Sequence, residues 1–250
     1  LAATLVVFAV LVVVGEVVFL TQYDRLHDEK AALAQREAQR AEARNAYERG
    51  LLAKGKAAVE AFSAAIAADA SFAEAYFERG KARIATGEYA LAAADLSQAI
   101  EQRPEMAYAY YWRGVVRQDY LNAAEDARRD FEETARLDPQ SDLGLLAQGA
   151  VLEAQGKPAE AEQRYGQAIE RAPKSALGYQ RRAKVRIGMG KIEEAVTDSR
   201  HAVQIDPEVP AALHNLAVAL TQQGKADEAI EVLGRAIELN PRNPLHYHSR

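Results

Sequence analysis

The stretch YFERGKARIATGEYALAAADLSQAIEQRP, residues 76–104, returns in pattern near the other end of the chain. It aligns without a gap with LHNLAVALTQQGKADEAIEVLGRAIELNP, residues 213–241. A closing proline recurs between these stretches at a spacing of 34 residues with one step of 35, at Pro104, Pro139, Pro173, Pro207 and Pro241. A constant period of this length is typical of a helix-turn-helix repeat, in which each unit buries its apolar face against its neighbours.

Each unit carries the same series of large and small residues. In the first unit the series is Tyr76, Gly80, Ala92, Leu96, Ala99 and Pro104. The small residues allow two antiparallel helices to cross closely, and the large ones fill the space beside the crossing. The series resembles the tetratricopeptide repeat (TPR) family. The resemblance implies an all-α solenoid that binds other proteins along a concave surface made by the first helix of each repeat.

The turn between the two helices has its own signal. Gly87, Gly156, Gly190 and Gly224 follow the first helix of four units, where glycine adopts the left-handed conformation that ends a helix. The second unit has one extra residue and no such glycine, so residues 118–122 are expected to form an altered turn. Each closing proline is expected to end the second helix, since the residue before proline avoids the α region.

The repeats set the domain boundaries. Five units occupy residues 73–243, and a degenerate repeat at 39–72 precedes them, with Ala70 in place of the proline. Residues 244–250 match the start of a further repeat, so the native protein is expected to continue past Arg250.

Residues 1–20, LAATLVVFAVLVVVGEVVFL, are almost wholly apolar. A run of about 20 such residues is long enough to cross the hydrocarbon core as a helix, and we interpret it as an N-terminal transmembrane helix. A signal peptide and a buried core helix are the alternatives. Glu16 interrupts the run, and its carboxylate either extends to the lipid headgroups or contacts another transmembrane helix that Gly15 lets approach.

Residues 21–38 contain no glycine or proline and are rich in good helix formers. This composition predicts a solvated helical stalk that continues out of the membrane. A flexible linker is the alternative, but glycine and serine would be expected there.

Several function classes receive no support from the sequence. The formal net charge of −5 offers no basic face for nucleic acid, and the absence of cysteine excludes disulfides and thiolate metal sites. The histidines lack metal-ligand spacing, and GMGK at 188–191 lacks the remainder of a phosphate-binding loop. We therefore expect no enzyme, no cofactor and no metal in this chain.

The concave-face positions differ between repeats, and we interpret that variation as a binding surface. An aromatic and apolar strip is predicted on the early repeats and a polar continuation on the later ones. The strip is Phe77, Tyr108, Tyr111, Trp112, Leu143 and Leu146, and the continuation is Gln180, Arg181, Lys184, His214 and Asn215. Clustered exposed aromatic residues suggest a protein contact, and the alternative is that these rings pack against the neighbouring repeat.

These features predict a membrane-anchored TPR scaffold, a structural subunit of a larger membrane protein complex. The alternative is an assembly factor or chaperone for membrane or exported proteins. The expected partners are other protein subunits at the concave face and, at the anchor, lipid and another transmembrane helix, with no nucleic acid. We expect the repeats on the periplasmic or extracytoplasmic side of a single-pass protein.

Overall fold

The computed structural model describes the backbone of residues 2–208 and 210–239 and the side chains of residues 19–208 and 211–239. The chain folds into antiparallel helix pairs, and the helices are α1 (Ala2–Leu52), α2 (Gly55–Ala68), α3 (Ala73–Thr86), α4 (Tyr89–Gln102), α5 (Ala107–Asp119), α6 (Ala124–Leu137), α7 (Asp142–Ala154), α8 (Pro158–Arg171), α9 (Ala176–Gly188), α10 (Ile192–Ile205), α11 (Pro210–Gln222) and α12 (Ala226–Leu239). Each helix packs against its predecessor and its successor. The described residues contain no strand, which confirms the predicted all-α solenoid.

The helix crossings agree with the series of small and large residues. Gly80 faces α4 so closely that a Cβ atom there would lie 3.0 Å from Leu96 Cγ. Ala92, Leu96 and Ala99 are fully buried on the facing side. Small residues at the crossing therefore set the distance between the two helices.

The turns also follow the sequence. Gly87, Gly156, Gly190 and Gly224 have φ angles between 73° and 81°, in the left-handed region that favours glycine. The second unit has Asn122 in that conformation, at φ 52°, after the non-helical residues Tyr120 and Leu121. Asparagine is the residue that most readily replaces glycine there, so the altered turn is confirmed.

One helix, α1, joins the N-terminal segment to the first repeat. The side chains of residues 19–42 are exposed, and Ala43 and Ala46 then become buried against the array. The segment 39–72 comprises the end of α1 and the whole of α2. The Phe62 ring of α2 packs on Gly50 of α1. A Cβ atom on Gly50 would lie 2.5 Å from that ring, so this crossing has the same close geometry as the later units.

In the part of the chain whose side chains are described, no helix is both long enough and apolar enough to cross a membrane. The predicted span, residues 1–20, lies outside that part apart from Phe19 and Leu20. The proposed contact residues Gly15 and Glu16 and the segment 244–250 also lie outside it.

A repeated polar cluster lies beside three of the crossings. In the second unit, the buried Asp130 carboxylate accepts hydrogen bonds from Arg113 Nη2 at 2.7 Å and from Arg117 Nη1 at 2.8 Å. Asp95 with Arg79 and Arg83, and Asp198 with Arg182 and Arg186, repeat the arrangement. Charge-assisted bonds of this kind tie the two helices of a unit together.

Candidate protein-binding groove

The first helices of the units line a concave groove that contains two adjoining cavities of about 360 Å³ each. Both cavities are lined by Asp119, Tyr120, Gln180, Arg181 and Ala211. One cavity adds Lys81, Ile84, Ala85, Trp112, Val115 and Leu177 together with the carboxylates Asp206 and Glu208, and the other adds Gln118, Lys184, Ile187, His214, Asn215 and Val218. Both cavities therefore combine apolar side chains with polar and charged ones.

Helices α5 and α9 meet across α7, although they belong to units that are not neighbours. Asp119 at the end of α5 lies 2.7 Å from Lys184 Nζ and 3.5 Å from Arg181 Nη2, both on α9. Between them α7 presents the fully buried, small residues Ala147 and Ala150, which leave room for this approach. The curvature of the groove at its centre follows from these small side chains.

The charges of this contact depend on one another. Burial opposes ionisation of Asp119, but Arg181 and Lys184 hold its pKa below the ordinary value. Because the folded pKa is lowered, the stabilisation from this carboxylate is present above the ordinary Asp pKa and is lost as the pH falls through the folded value. The link between α5 and α9 is therefore complete at neutral pH.

The guanidinium of Arg181 is the buried charge of the groove, with only 3% of the residue exposed. It lies 6.0 Å from the centre of the Tyr111 ring, and its Nε and Nη1 atoms have no hydrogen-bond acceptor among the described residues. Beside it, Asn215 Nδ2 donates to the carbonyl of Gln180 at 3.1 Å and joins α11 to α9.

Trp112 forms the apolar part of the groove wall. Its ring is half-buried and packs against the clusters on both sides of α5. It is perpendicular to the Tyr111 ring, at a centroid distance of 6.0 Å. Tryptophan that is half-buried in a concave wall is a residue type enriched among the dominant contacts of protein interfaces.

The turn within the first helix pair approaches the turn between α10 and α11 at the rim of the groove. Lys54, in the turn after α1, lies 2.7 Å from the carboxylate of Glu208, in the turn after α10. Both side chains are exposed, so the ion pair contributes little stability. Its position shows how strongly the four repeats from α3 to α10 curve around the groove.

Family models for tetratricopeptide repeats match the chain over residues 80–119, 117–176 and 186–249, which together exceed half of its length. The chain is a tetratricopeptide repeat protein. No curated protein matches it over its sequence.

Several solved structures are similar to the chain. The APC/C hetero-tetramer Cut9–Hcn1 is 14% identical with a TM-score of 0.57, over 77% of this chain and 38% of that one. YrrB, described as a TPR protein with an unusual peptide-binding site, is 24% identical with a TM-score of 0.42, over 76% and 98% of the two chains. A MamA protein is 19% identical with a TM-score of 0.40, over 67% and 91%. At 14% identity the likeness to Cut9–Hcn1 concerns the fold alone.

Six of the predicted binding residues line the groove of this TPR array. They are Trp112, Gln180, Arg181, Lys184, His214 and Asn215. All six contribute to the lining, although Arg181 and Asn215 are buried, and their role in partner binding stays a prediction.

The expected exposure was wrong for Phe77, Tyr111 and Leu146, which are buried, whereas Tyr108 and Leu143 are half-buried like Trp112 but line neither cavity. Tyr111 and Leu146 are fully buried in the core between the second and third units, and Leu143 packs against that core. Phe77 is buried and meets Tyr108 edge to face at 4.5 Å. Variation among repeats does not by itself indicate solvent exposure, because each pair of neighbouring first helices packs with its own set of side chains and a buried position therefore also varies.

Sequence reasoning missed the centre of the groove, Asp119 and Tyr120. Tyr120 stacks on Tyr89 at 3.9 Å with an interplanar angle of 6°, and burial raises the pKa of its hydroxyl. The signal for both residues was present, because they stand in the one turn that has an extra residue and lacks a glycine. Irregular loops on a regular scaffold are frequent places for binding residues.

Proposed function

We propose that this TPR protein is a membrane-anchored scaffold that holds partner proteins of a membrane complex in its concave groove. The observation that supports the proposal best is the groove itself, where a half-buried tryptophan lies beside cationic and amide side chains. An extended segment of a partner could place an apolar side chain against Trp112 and polar groups beside Gln180 and Lys184. Such a mixture of an aromatic contact and a polar rim is typical of protein interfaces.

We propose binding rather than catalysis for the same groove. Of the acidic residues that line it, Asp119 is paired with two cations and Glu208 with Lys54, and the described residues hold no group of side chains suited to a metal ion. A general base needs a free lone pair directed at substrate, whereas the Asp119 carboxylate links two helices.

Replacing Trp112 by alanine is expected to weaken partner binding by about 2 kcal/mol, or roughly thirtyfold in Kd, because a buried aromatic contact is lost. Partner proteins can be recovered with a tagged full-length chain in mild detergent and quantified by mass spectrometry, and the affinity of each recovered partner then measured. Circular dichroism should show helicity close to that of the unsubstituted protein.

The matched control is Leu91→Ala. Leu91 is half exposed on α4, a second helix, and lines neither of the groove cavities. This variant should retain every partner at its original affinity. An equal loss of partner affinity in Trp112→Ala and Leu91→Ala would contradict the proposed groove. Retention of all partners by Trp112→Ala would contradict it as well.

The membrane anchor rests on the sequence of residues 1–20, and the extracytoplasmic orientation of the repeats is part of the same proposal. Since α1 continues from residue 2 to residue 52, the anchor would join the array through one helix. The full chain should stay in the membrane fraction after alkaline carbonate washing, whereas residues 21–250 alone should not. In intact cells with a permeabilised outer envelope, added protease should digest the repeats if they lie on the extracytoplasmic side. Extraction of the full chain by carbonate would contradict the anchor.

Stoichiometry tests the scaffold role. A structural subunit should purify with its partners at a fixed ratio in mild detergent, whereas an assembly factor would be recovered at a variable and smaller ratio. Quantitative mass spectrometry of the purified complex measures this ratio directly.

A further inference from the structure

The rim of the groove is closed by two residues that are far apart in the chain. Lys54 Nζ donates to the Glu208 carboxylate at 2.7 Å, across 154 residues of sequence. Helices α1 and α2 pack mainly on each other and on α3, whereas α10 and α11 pack mainly on each other, on α9 and on α12. An ion pair between surface side chains, and not the packing of helices, therefore closes the rim.

A cavity of about 400 Å³ lies behind this ion pair. Its lining includes Lys54 and Lys81 on one side and Asp206 and Glu208, directly after α10, on the other, besides apolar side chains of the first helix pair. Close-packed contacts leave few spaces larger than a water molecule, and they are what makes the separation of two surfaces costly. The two sides of the rim can therefore part with little loss of packing.

The residues after α10 also form part of the wall around Trp112. Asp206, Glu208 and Ala211 line the same cavity as Trp112, and Lys81 and Ile84 of α3 line it as well. A partner segment that approaches this cavity from the side has to pass between α3 and the end of α10. The ion pair of Lys54 and Glu208 lies across that path.

We propose that the Lys54–Glu208 contact is a lateral gate of the groove. The two sides of the rim separate to admit a partner segment to Trp112 and close again around it. The Lys54 and Glu208 side chains are 83% and 65% exposed. An exposed ion pair is weak and is screened by salt, so it biases the array toward the closed form without locking it.

The centre of the groove keeps its shape while the rim opens. The partly buried contact of Asp119 with Lys184 joins α5 to α9 and holds the middle of the array. Helices α1 to α4 lie outside that contact, so the first two helix pairs are the part that swings away from the end of α10. The gate rests on the proposed binding function for what enters the groove, but its opening needs no partner.

Spin labels on the full chain in detergent measure the opening directly, because the protein has no native cysteine. Leu52→Cys and Gln204→Cys place labels on exposed residues on the two sides of the rim and leave the ion pair intact. Pulsed electron paramagnetic resonance should show a short and a long distance between the labels. Raising the ionic strength from ~0.01 M to ~1 M, which shortens the Debye length from about 30 Å to about 3 Å, should increase the long-distance population.

Charge variants in the labelled chain identify the pair responsible. Glu208→Lys should increase the ratio of the long-distance to the short-distance population by up to about fivefold, the change that an exposed pair can supply. Adding Lys54→Glu should restore the original ratio. The matched control is Glu105→Lys, since Glu105 follows Pro104 as Glu208 follows Pro207 and its side chain is 72% exposed. This control should leave the ratio unchanged.

Trp112 adds a second measurement, because it is the only tryptophan of the chain. Quenching of its fluorescence by acrylamide should be stronger in Glu208→Lys than in the unsubstituted protein and unchanged in Glu105→Lys. A single distance that responds to neither salt nor Glu208→Lys, an equal response to Glu105→Lys, no restoration by Lys54→Glu, or unchanged quenching would each overturn the gate. A fixed distance in a protein that still binds partners contradicts the gate alone, whereas an opening rim in a protein that recovers no partner contradicts the proposed function alone.

Discussion

Asp130→Asn is expected to lower the free energy of unfolding by about 3 kcal/mol, because it removes the negative charge that binds two largely buried arginines. Arg113 and Arg117 on α5 both donate to this carboxylate on α6. Asparagine has the same size and still accepts one hydrogen bond, so the loss reports the charge and not a cavity. Thermal and urea unfolding followed by circular dichroism measure the change.

The control is the same substitution four residues earlier, Asp126→Asn. Asp126 also pairs with an arginine, Arg129, but both side chains are more than half exposed. Exposed pairs contribute about 0–1 kcal/mol, so this variant should unfold close to the unsubstituted protein. Similar stability of the two variants would show that the buried cluster does not hold α5 to α6.

The polar cluster also shows what a repeat consensus leaves out. The third unit has Gln148, Leu152 and Arg164 at the equivalent positions, and the last unit has Leu216, Leu220 and Val232. The last unit thus replaces ions by apolar packing, an exchange that often keeps or improves stability. In sequence, two arginines spaced by four residues mark each cluster, but their partner lies in the next helix and only the fold brings it close.

The fold was predictable because its determinants are local and recur. A 34-residue period, a glycine such as Gly87 after the first helix and a proline such as Pro104 after the second each act within one or two turns of helix. The altered turn of the second unit was also predictable, since Asn122 there adopts the left-handed conformation that glycine provides in the other units.

The groove was predictable only in part, because it depends on contacts between units. Trp112 and Lys184 were found from their position in the repeat, but Tyr111, one residue earlier, is core. The approach of α5 to α9 depends on the small side chains of α7 between them. The curvature that results is a property of three successive units, which no single unit encodes.

Gly144, in the first turn of α7, has the tightest backbone contact among the described glycines. A Cβ atom on Gly144 would lie 1.7 Å from the carbonyl oxygen of Asp138. The Gly144 amide also donates to Ser141 Oγ at 3.0 Å, which caps the helix. Because the obstacle is a backbone carbonyl in the turn before α7, no side-chain rotation can relieve it.

Gly144→Ala is therefore expected to destabilise the protein by about 3 kcal/mol or more, since the turn between α6 and α7 must move. The control is Gly234→Ala in the interior of α12, where a Cβ atom would meet nothing within 4 Å. That change should stabilise by about 0.5–1 kcal/mol, because alanine restricts the unfolded chain and favours helix. The temperature of thermal unfolding should thus fall for Gly144→Ala and rise for Gly234→Ala, although the chemical substitution is the same. A shift of the same sign in both variants would show that general helix propensity, and not the close approach of residues 138 and 144, determines the result.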